Sequence, residues 1–235
     1  LKLRDAATGS HLHSFSGHKD WVRCCAFSPD GQQALSGADD GRLNVWDLAS
    51  GACIASLAVH ENEYGIAKRV TACAFSPDGQ QVLAGAEDGR LRLWQLATGA
   101  CIAVFTGHAG WINACSFSPN GQQVLSASFD GTVKLWDAST GTCQMTFCGH
   151  EGRVVACAFV AQGRQIVSAS WVGTIRLWDA ASGTCLRIML DVPGGSAAWE
   201  PETNTLLHAS GTAWRYLRWQ GVDEQGHMQL RQVEY

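Results

Sequence analysis

His18, His108 and His150 each follow a glycine, and each stands 28 residues before a tryptophan: Trp46, Trp136 and Trp178. Three of the four repeat tryptophans precede an aspartate, in Trp46-Asp47, Trp136-Asp137 and Trp178-Asp179, and the fourth, Trp94, precedes Gln95. The spacings His108 to His150 and Trp136 to Trp178 are both 42 residues. A unit of that length is one supersecondary module, too small to bury its own apolar face, so it must stack on its neighbours. This fixed period constrains the chain more than any other feature, and it makes catalysis improbable.

One unit, residues 18–58, shows the local logic. Trp21 to Ser28 alternates towards Phe27 and reads as a strand, and Pro29-Asp30-Gly31 turns the chain. Gln33 to Gly37 is a second strand, Asp39-Asp40-Gly41 a tight turn, and Arg42 to Trp46 alternates as a third strand. Ala49-Ser50-Gly51 turns again into a fourth strand, Ala52 to Leu57. Four antiparallel strands in about 42 residues make one blade of a propeller. The same punctuation returns in Phe75-Ser76-Pro77-Asp78-Gly79 and Phe117-Ser118-Pro119-Asn120-Gly121, then more loosely in Phe159-Val160-Ala161-Gln162-Gly163. Asp88-Gly89, Asp130-Gly131 and Val172-Gly173 mark the second turn.

The 235 residues suffice for a core, and the net charge of −4 supplies no basic field for nucleic acid or anionic lipid. Uncharged runs are interrupted by glycine and polar residues, so no span crosses a membrane. Leu1-Lys2-Leu3-Arg4-Asp5 does not read as a secretion signal. Cys25, Cys73, Cys115 and Cys157 are separated by 48, 42 and 42 residues, and Cys53, Cys101, Cys143 and Cys185 by the same intervals. Each set is one repeat position copied four times. Buried free thiols in a reducing, cytoplasmic compartment are therefore expected rather than disulfides. No Cys-x-x-Cys pair offers a zinc site, the histidines stand one per unit, and no phosphate-cradling glycine loop or convergent Ser-His-Asp set occurs. No cofactor, metal or catalytic residue is expected.

Gly-His, Phe-Ser-Pro-Asp-Gly, Asp-Gly and Trp-Asp at these offsets resemble the WD40 repeat family, strongly over residues 1 to about 190. The resemblance implies an all-β propeller of four-stranded antiparallel blades at 18–58, 59–106, 107–148 and 149–190. Residues 191–235 read as a degenerate C-terminal blade, with Trp219 falling 41 after Trp178 and candidate strands at Leu206 to Ala209 and Met228 to Val233. Leu3-Arg4-Asp5 aligns with Val45-Trp46-Asp47, so residues 1–17 are the last strands of a preceding blade. Propellers of this kind usually close with about seven blades. The chain is therefore expected to be an incomplete ring from a longer protein, the alternative being a smaller ring with the first two strands docked as an outer ribbon.

In the family a histidine, a strand serine, a turn aspartate and the tryptophan form a hydrogen-bonded network. The matching positions are His18, Ser36, Asp40 and Trp46, and again His108, Ser126, Asp130 and Trp136. The second unit has Ala84 at the serine position beside His60, Asp88 and Trp94, and the fourth has Val172 at the aspartate position beside His150, Ser168 and Trp178. Both departures predict weaker local stability.

The family's contact positions are the third and fifth residues after the repeat histidine and the residue before the turn aspartate. They fall on Trp21, Arg23 and Asp39 in the first unit and on Trp111, Asn113 and Phe129 in the third. The fourth gives Arg153, Val155 and Trp171, and the second, adjusted for its insertion, gives Arg69, Thr71 and Glu87. Aromatic and arginine clusters are what interface hot spots are built from, although some of these rings can instead fold onto the core or pack on missing blades. The second unit has 10 residues from His60 to Val70 where the first has 4 from His18 to Val22, and this insertion, Glu61 to Arg69, is expected to project from the same rim.

The expected function is a non-catalytic protein-interaction scaffold. The close copying between repeats resembles bacterial multidomain WD40 proteins, which implies a sensor or regulatory arm binding a protein partner or another domain of the same protein. The rivals are a propeller enzyme with a channel site and a structural spacer.

Overall fold

A computed structural model describes residues 1–59, 68–192, 195–203 and 205–210 and the strands 217–222 and 228–232. A ribbon of β1 (Lys2–Arg4) and β2 (His11–Ser14) comes first. The first blade is β3 (Val22–Phe27), β4 (Gln33–Ala38), β5 (Arg42–Asp47) and β6 (Cys53–Ala58), and the second is β7 (Val70–Phe75), β8 (Gln81–Ala86), β9 (Leu91–Gln95) and β10 (Ala100–Phe105). The third is β11 (Ile112–Phe117), β12 (Gln123–Ser128), β13 (Val133–Asp137) and β14 (Cys143–Phe147). The fourth begins with β15 (Val154–Val160), β16 (Gln165–Ser170), β17 (Thr174–Asp179) and β18 (Cys185–Val192). All pairs are antiparallel, and the sheets follow one another as an unclosed arc.

The repeat extends to fine geometry. The first two strands of every blade slip register at the same place, between Val22 and Cys24, Val70 and Ala72, Ile112 and Ala114, and Val154 and Ala156. The last two slip again just before Trp46, Trp136 and Trp178. Bulges increase twist, and a twisted sheet is what stacks obliquely on the next.

The core lies between blades rather than within them. Leu35, Leu43, Val45 and Leu57 of the first blade pack against Val70, Val82 and Trp94 of the second. Leu83, Leu91, Leu93 and Phe105 of the second meet Ile112, Val124 and Trp136 of the third. Leu125, Val133, Leu135 and Phe147 of the third meet Val154, Ile166 and Trp178 of the fourth. A blade alone would leave each large aliphatic wet, at about 1.5–3 kcal/mol apiece. The outer strand of one blade ends in a ring that stacks on the next blade's tryptophan: Phe105 on Trp136 at 5.8 Å and Phe147 on Trp178 at 5.6 Å. Phe15, just after β2, stacks on Trp46 at 5.4 Å in the same way, so the β1–β2 ribbon occupies the place of a blade's third and fourth strands. In the second blade Leu57 takes that part against Trp94. Gly37 and Gly85 permit the closest approach, since a Cβ on either would sit 2.5 Å from Val70 or Ile112 of the following blade.

The C-terminal region departs from expectation. Among the described residues, the strands of 191–235 do not form one further sheet. β19 (Gly195–Glu200) and β20 (Thr205–Ala209) are hydrogen-bonded onto β18, extending the fourth blade to six strands, and β21 (Leu217–Val222) pairs with β22 (Met228–Gln232) apart from it. β18 runs to Val192, past the expected boundary at 190, and both its edges are paired. Ile188 and Leu190 on β18 bury themselves against Ala197 and Trp199 on β19. The segment has no Asp-Gly, and its Gly226-His227 falls between β21 and β22 in sequence rather than ahead of β19, so a simple hairpin onto the existing edge satisfies the backbone of β19 and β20.

The thiol expectation divides. All ten cysteines are free, and burial pushes the Cys157 thiol up to about 12 and raises Cys115 strongly. Cys53, Cys101 and Cys143 are exposed, because they lie on outer strands opposite the bulged tryptophans rather than in an inter-blade layer.

Candidate functional site

An interior network positions the rim. In the first blade the Trp46 indole N–H donates to Ser36 Oγ at 2.8 Å, that hydroxyl lies 2.8 Å from His18 Nε2, and His18 Nδ1 lies 3.0 Å from Asp40. One proton arrangement pairs every group: Trp to Ser, Ser to His, and His Nδ1–H to Asp. The third blade repeats it through Trp136, Ser126, His108 and Asp130 at 2.8, 2.7 and 2.7 Å. Asp130 also accepts from the Ala109 N–H, so the network fixes the loop that leads to the rim. Burial works against the Asp130 charge, but bonds from Thr132, His108 and Ala109 outweigh it and hold the carboxyl down at about 2.

The two imperfect blades part ways. In the fourth, Thr174 replaces the missing carboxylate, 3.0 Å from His150 Nδ1, while Ser168 still joins His150 and Trp178. Burial, with the nearby Arg176 charge, pushes His150 down to about 4, so it stays neutral. In the second, Ala84 offers nothing and the buried Trp94 Nε1 has no hydrogen-bond partner among the described residues. His60 and the insertion from Glu61 to Ala67 lie outside the described residues.

The rim is built by one repeated backbone bond. Asp39 N–H donates to Trp21 O, Glu87 to Arg69 O, Phe129 to Trp111 O and Trp171 to Arg153 O, at 2.9, 3.2, 2.8 and 3.0 Å. Each bond sets two variable side chains beside each other at the same end of its blade. Trp21 is 72% exposed, Trp171 69%, Phe129 49% and Trp111 45%, so these rings do not fold onto the core. Val155 is exposed too.

Across the first two blades the charges pair. Arg23 grips Asp39 with Nε and a terminal nitrogen at 2.8 and 2.5 Å, and its guanidinium lies 5.2 Å from the Trp21 ring. Arg69 sits 3.8 Å from Asp39 and 3.7 Å from Glu87, bridging the blades. Across the last two blades rings replace acids. Trp111 and Phe129 are 6.2 Å apart, and the Arg153 guanidinium lies 5.3 Å from Phe129 and 3.8 Å from Trp171. A surface cavity of about 470 Å³ opens between the second and third blades, walled by Trp111 and Phe129 and bordered by Glu87, Asp88 and Gly110.

Two expected contact residues are engaged inside the arc. Thr71 Oγ1 donates to Ile112 O, and Asn113 Nδ2 donates to Val154 O at 2.8 Å, each tying its inner strand to that of the next blade. Short polar side chains at this position reach the neighbouring strand, whereas Arg23 reaches outward. Spacing alone did not single out Gly110, whose Cβ would crowd the Asp130 backbone N–H at 2.9 Å. Among the described residues no group of three His, Cys, Asp or Glu could hold a metal.

A family model described as WD domain, G-beta repeat matches residues 9–47, 51–95, 99–137 and 141–179. The chain belongs to the WD40 family. Its matched repeats are offset from the blades, each beginning near the previous outer strand and ending at the third strand of the next sheet. Among relatives, the human ribosome biogenesis protein BOP1 is 44% identical over 45 residues, 19% of this chain and 6% of that protein. Periodic tryptophan protein 2 of Arabidopsis thaliana is 36% identical over 62 residues, 26% of the chain and 7% of the relative. Human striatin-4 is 31% identical over 64 residues, 27% and 8% of the two lengths. The matches thus span under a tenth of these relatives. All are eukaryotic, so the likeness to bacterial multidomain WD40 proteins rests on repeat uniformity alone.

Proposed function

We propose that this WD40 chain is a non-catalytic protein-interaction platform whose contact surface is the rim bearing Trp21, Arg23, Arg69, Trp111, Phe129, Arg153 and Trp171. The observation that carries the reading is that four large aromatic side chains stay exposed along one rim, each set by the same backbone bond. Large exposed rings beside arginines desolvate readily and supply most of the energy in protein contacts. Asp39, Glu87 and Val155 contribute contacts or neutralise neighbours, while Thr71 and Asn113 position the inner strands. The partner is a protein or another domain of the same polypeptide, with the arc as a sensor or regulatory arm. Ten free thiols support a reducing compartment such as the cytoplasm.

The test compares rims. Affinity capture on the native chain is set beside capture on a Trp21→Ala, Trp111→Ala, Trp171→Ala variant and on a variant altered at the opposite end of the blades, Pro29→Ala with Pro77→Ala. Bound proteins lost only with the tryptophans support the platform. An identical bound set from all three chains points to the spacer reading instead.

A further inference from the structure

Three arginines line the rim, and their surroundings differ in kind. Arg23 is held by Asp39, and Arg69 stands near both Asp39 and Glu87. Arg153 has no carboxylate within 4 Å and no acceptor for its side-chain donors among the described residues, and Glu151, two positions upstream, makes no ion pair with it. Its backbone is pinned, because its carbonyl accepts from Trp171 N–H at 3.0 Å and from Ser170 Oγ at 3.1 Å. Its guanidinium is stacked 3.8 Å from the Trp171 ring and faces Phe129 at 5.3 Å.

A guanidinium set 3.8 Å from one ring and 5.3 Å from a second has apolar cover, while its N–H edges meet no acceptor among the described residues. Those edges carry a planar fork of N–H donors that matches one carboxylate bidentately. Stacking removes much of the rotamer freedom that an arginine otherwise loses on binding, so the fork is pre-organised. On the far side of Phe129 the neighbouring cavity is bordered by Glu87 and Asp88, already paired with Arg69 and Arg92, and its lining supplies no Lys or Arg for a second acid. A phosphate calls for several cations, and one free guanidinium is a poor match for it. A chain-terminal carboxylate is ordinarily captured by clustered backbone N–H groups, and here the N–H groups of Phe129 and Trp171 are already committed to Trp111 and Arg153.

We propose that Arg153, clamped between Phe129 and Trp171, is a receptor for one Asp or Glu side chain on a partner segment that also lays an apolar residue against Trp111. This rests on the reading of the rim as a protein-binding face. It names the chemistry of the partner: a single internal acid flanked by apolar residues, not an acidic run, a phosphopeptide or a free C-terminus.

The probe is a random twelve-residue peptide library displayed on phage and selected on the 235-residue chain. Selected sequences are expected to share one acidic residue beside an aromatic or aliphatic one. Affinity of the synthetic peptides should fall about tenfold or more with Arg153→Gln, and by a similar factor when the peptide acid becomes its amide. The two changes together should cost no more than either alone. Arg153→Lys keeps the charge but not the fork, and should lose most of the affinity. Unchanged circular dichroism and melting confirm that these surface variants fold. Peptides that ignore Arg153→Gln but lose affinity with Trp111→Ala overturn this proposal and leave the rim reading standing. Peptides that ignore every rim substitution overturn both.

Discussion

The interior network and the rim lie within a few residues of each other in every blade, yet they are built on opposite rules. His18, Ser36 and Trp46 of the first blade have near-identical counterparts in the third, down to tenths of an ångström, and their polar atoms are used up on one another. On the rim the same two blades share a tryptophan, Trp21 and Trp111, but differ beside it, with Arg23 and Asp39 in one and Asn113 and Phe129 in the other, and Trp21, Trp111 and Phe129 are exposed. Repetition marks what each module needs in order to stack. Variation on a shared backbone bond marks what is free to contact something else. Substitutions in the network should therefore cost stability without touching recognition, and substitutions on the rim should do the reverse.

The largest effect is expected from Ser126→Ala. It orphans the Trp136 indole N–H and the His108 ring nitrogen inside a buried site, and should lower unfolding stability by about 2–3 kcal/mol in urea titration. A loss below about 0.5 kcal/mol would mean that the network contributes little. The converse change, Ala84→Ser, gives Trp94 Nε1 the acceptor its counterparts have and should add about 0.5–1.5 kcal/mol. The same pair predicts that backbone amides of β8 and β9 exchange faster than those of β12 and β13. Equal protection of the two blades would contradict the importance of the serine.

A smaller effect concerns acid. His150 is depressed to about 4 in the fold from an ordinary 6.5, so its contribution is complete above 6.5 and is lost as pH falls from 6.5 towards 4. Asp130, held at about 2 against an ordinary 3.8, loses its contribution only as pH falls below 3.8. Burial lowers His108 in the third blade too, but the Asp130 carboxylate offsets part of that, so the fourth blade should lose more than the third as pH falls from 6.5 towards 4. Val172→Asp restores the aspartate of the third blade, stabilises the imidazolium, and should shrink the loss between 6.5 and 4. Hydrogen exchange of β16 and β17 across that interval checks it.

Much of the fold was legible in the primary structure because the punctuation is physical. Turn glycines, strand alternation and the tryptophan period each specify local geometry, and the consequence of Ala84 could be read from one missing hydroxyl. Other features depended on what surrounds a residue. The pairing of β19 onto β18 follows from an open edge and from Ile188 and Leu190 meeting Ala197 and Trp199, and no periodicity carries that signal. Thr71 and Asn113 share their position with Arg23, but only side-chain length decides whether that position reaches the next strand or the surface. The unpaired state of Arg153 depends on rings from two blades and is equally invisible in the local sequence.

The most direct measurement is a paired one, urea stability and captured partners, on the Trp21→Ala, Trp111→Ala, Trp171→Ala chain beside Ser126→Ala. Exposed side chains contribute little to folding, so the triple variant should stay within about 1 kcal/mol of the native chain and lose its partners. Ser126→Ala should lose stability and, below its unfolding transition, keep them. A triple variant that unfolds as readily as Ser126→Ala, or one that binds like the native chain, would contradict the division between scaffold and rim.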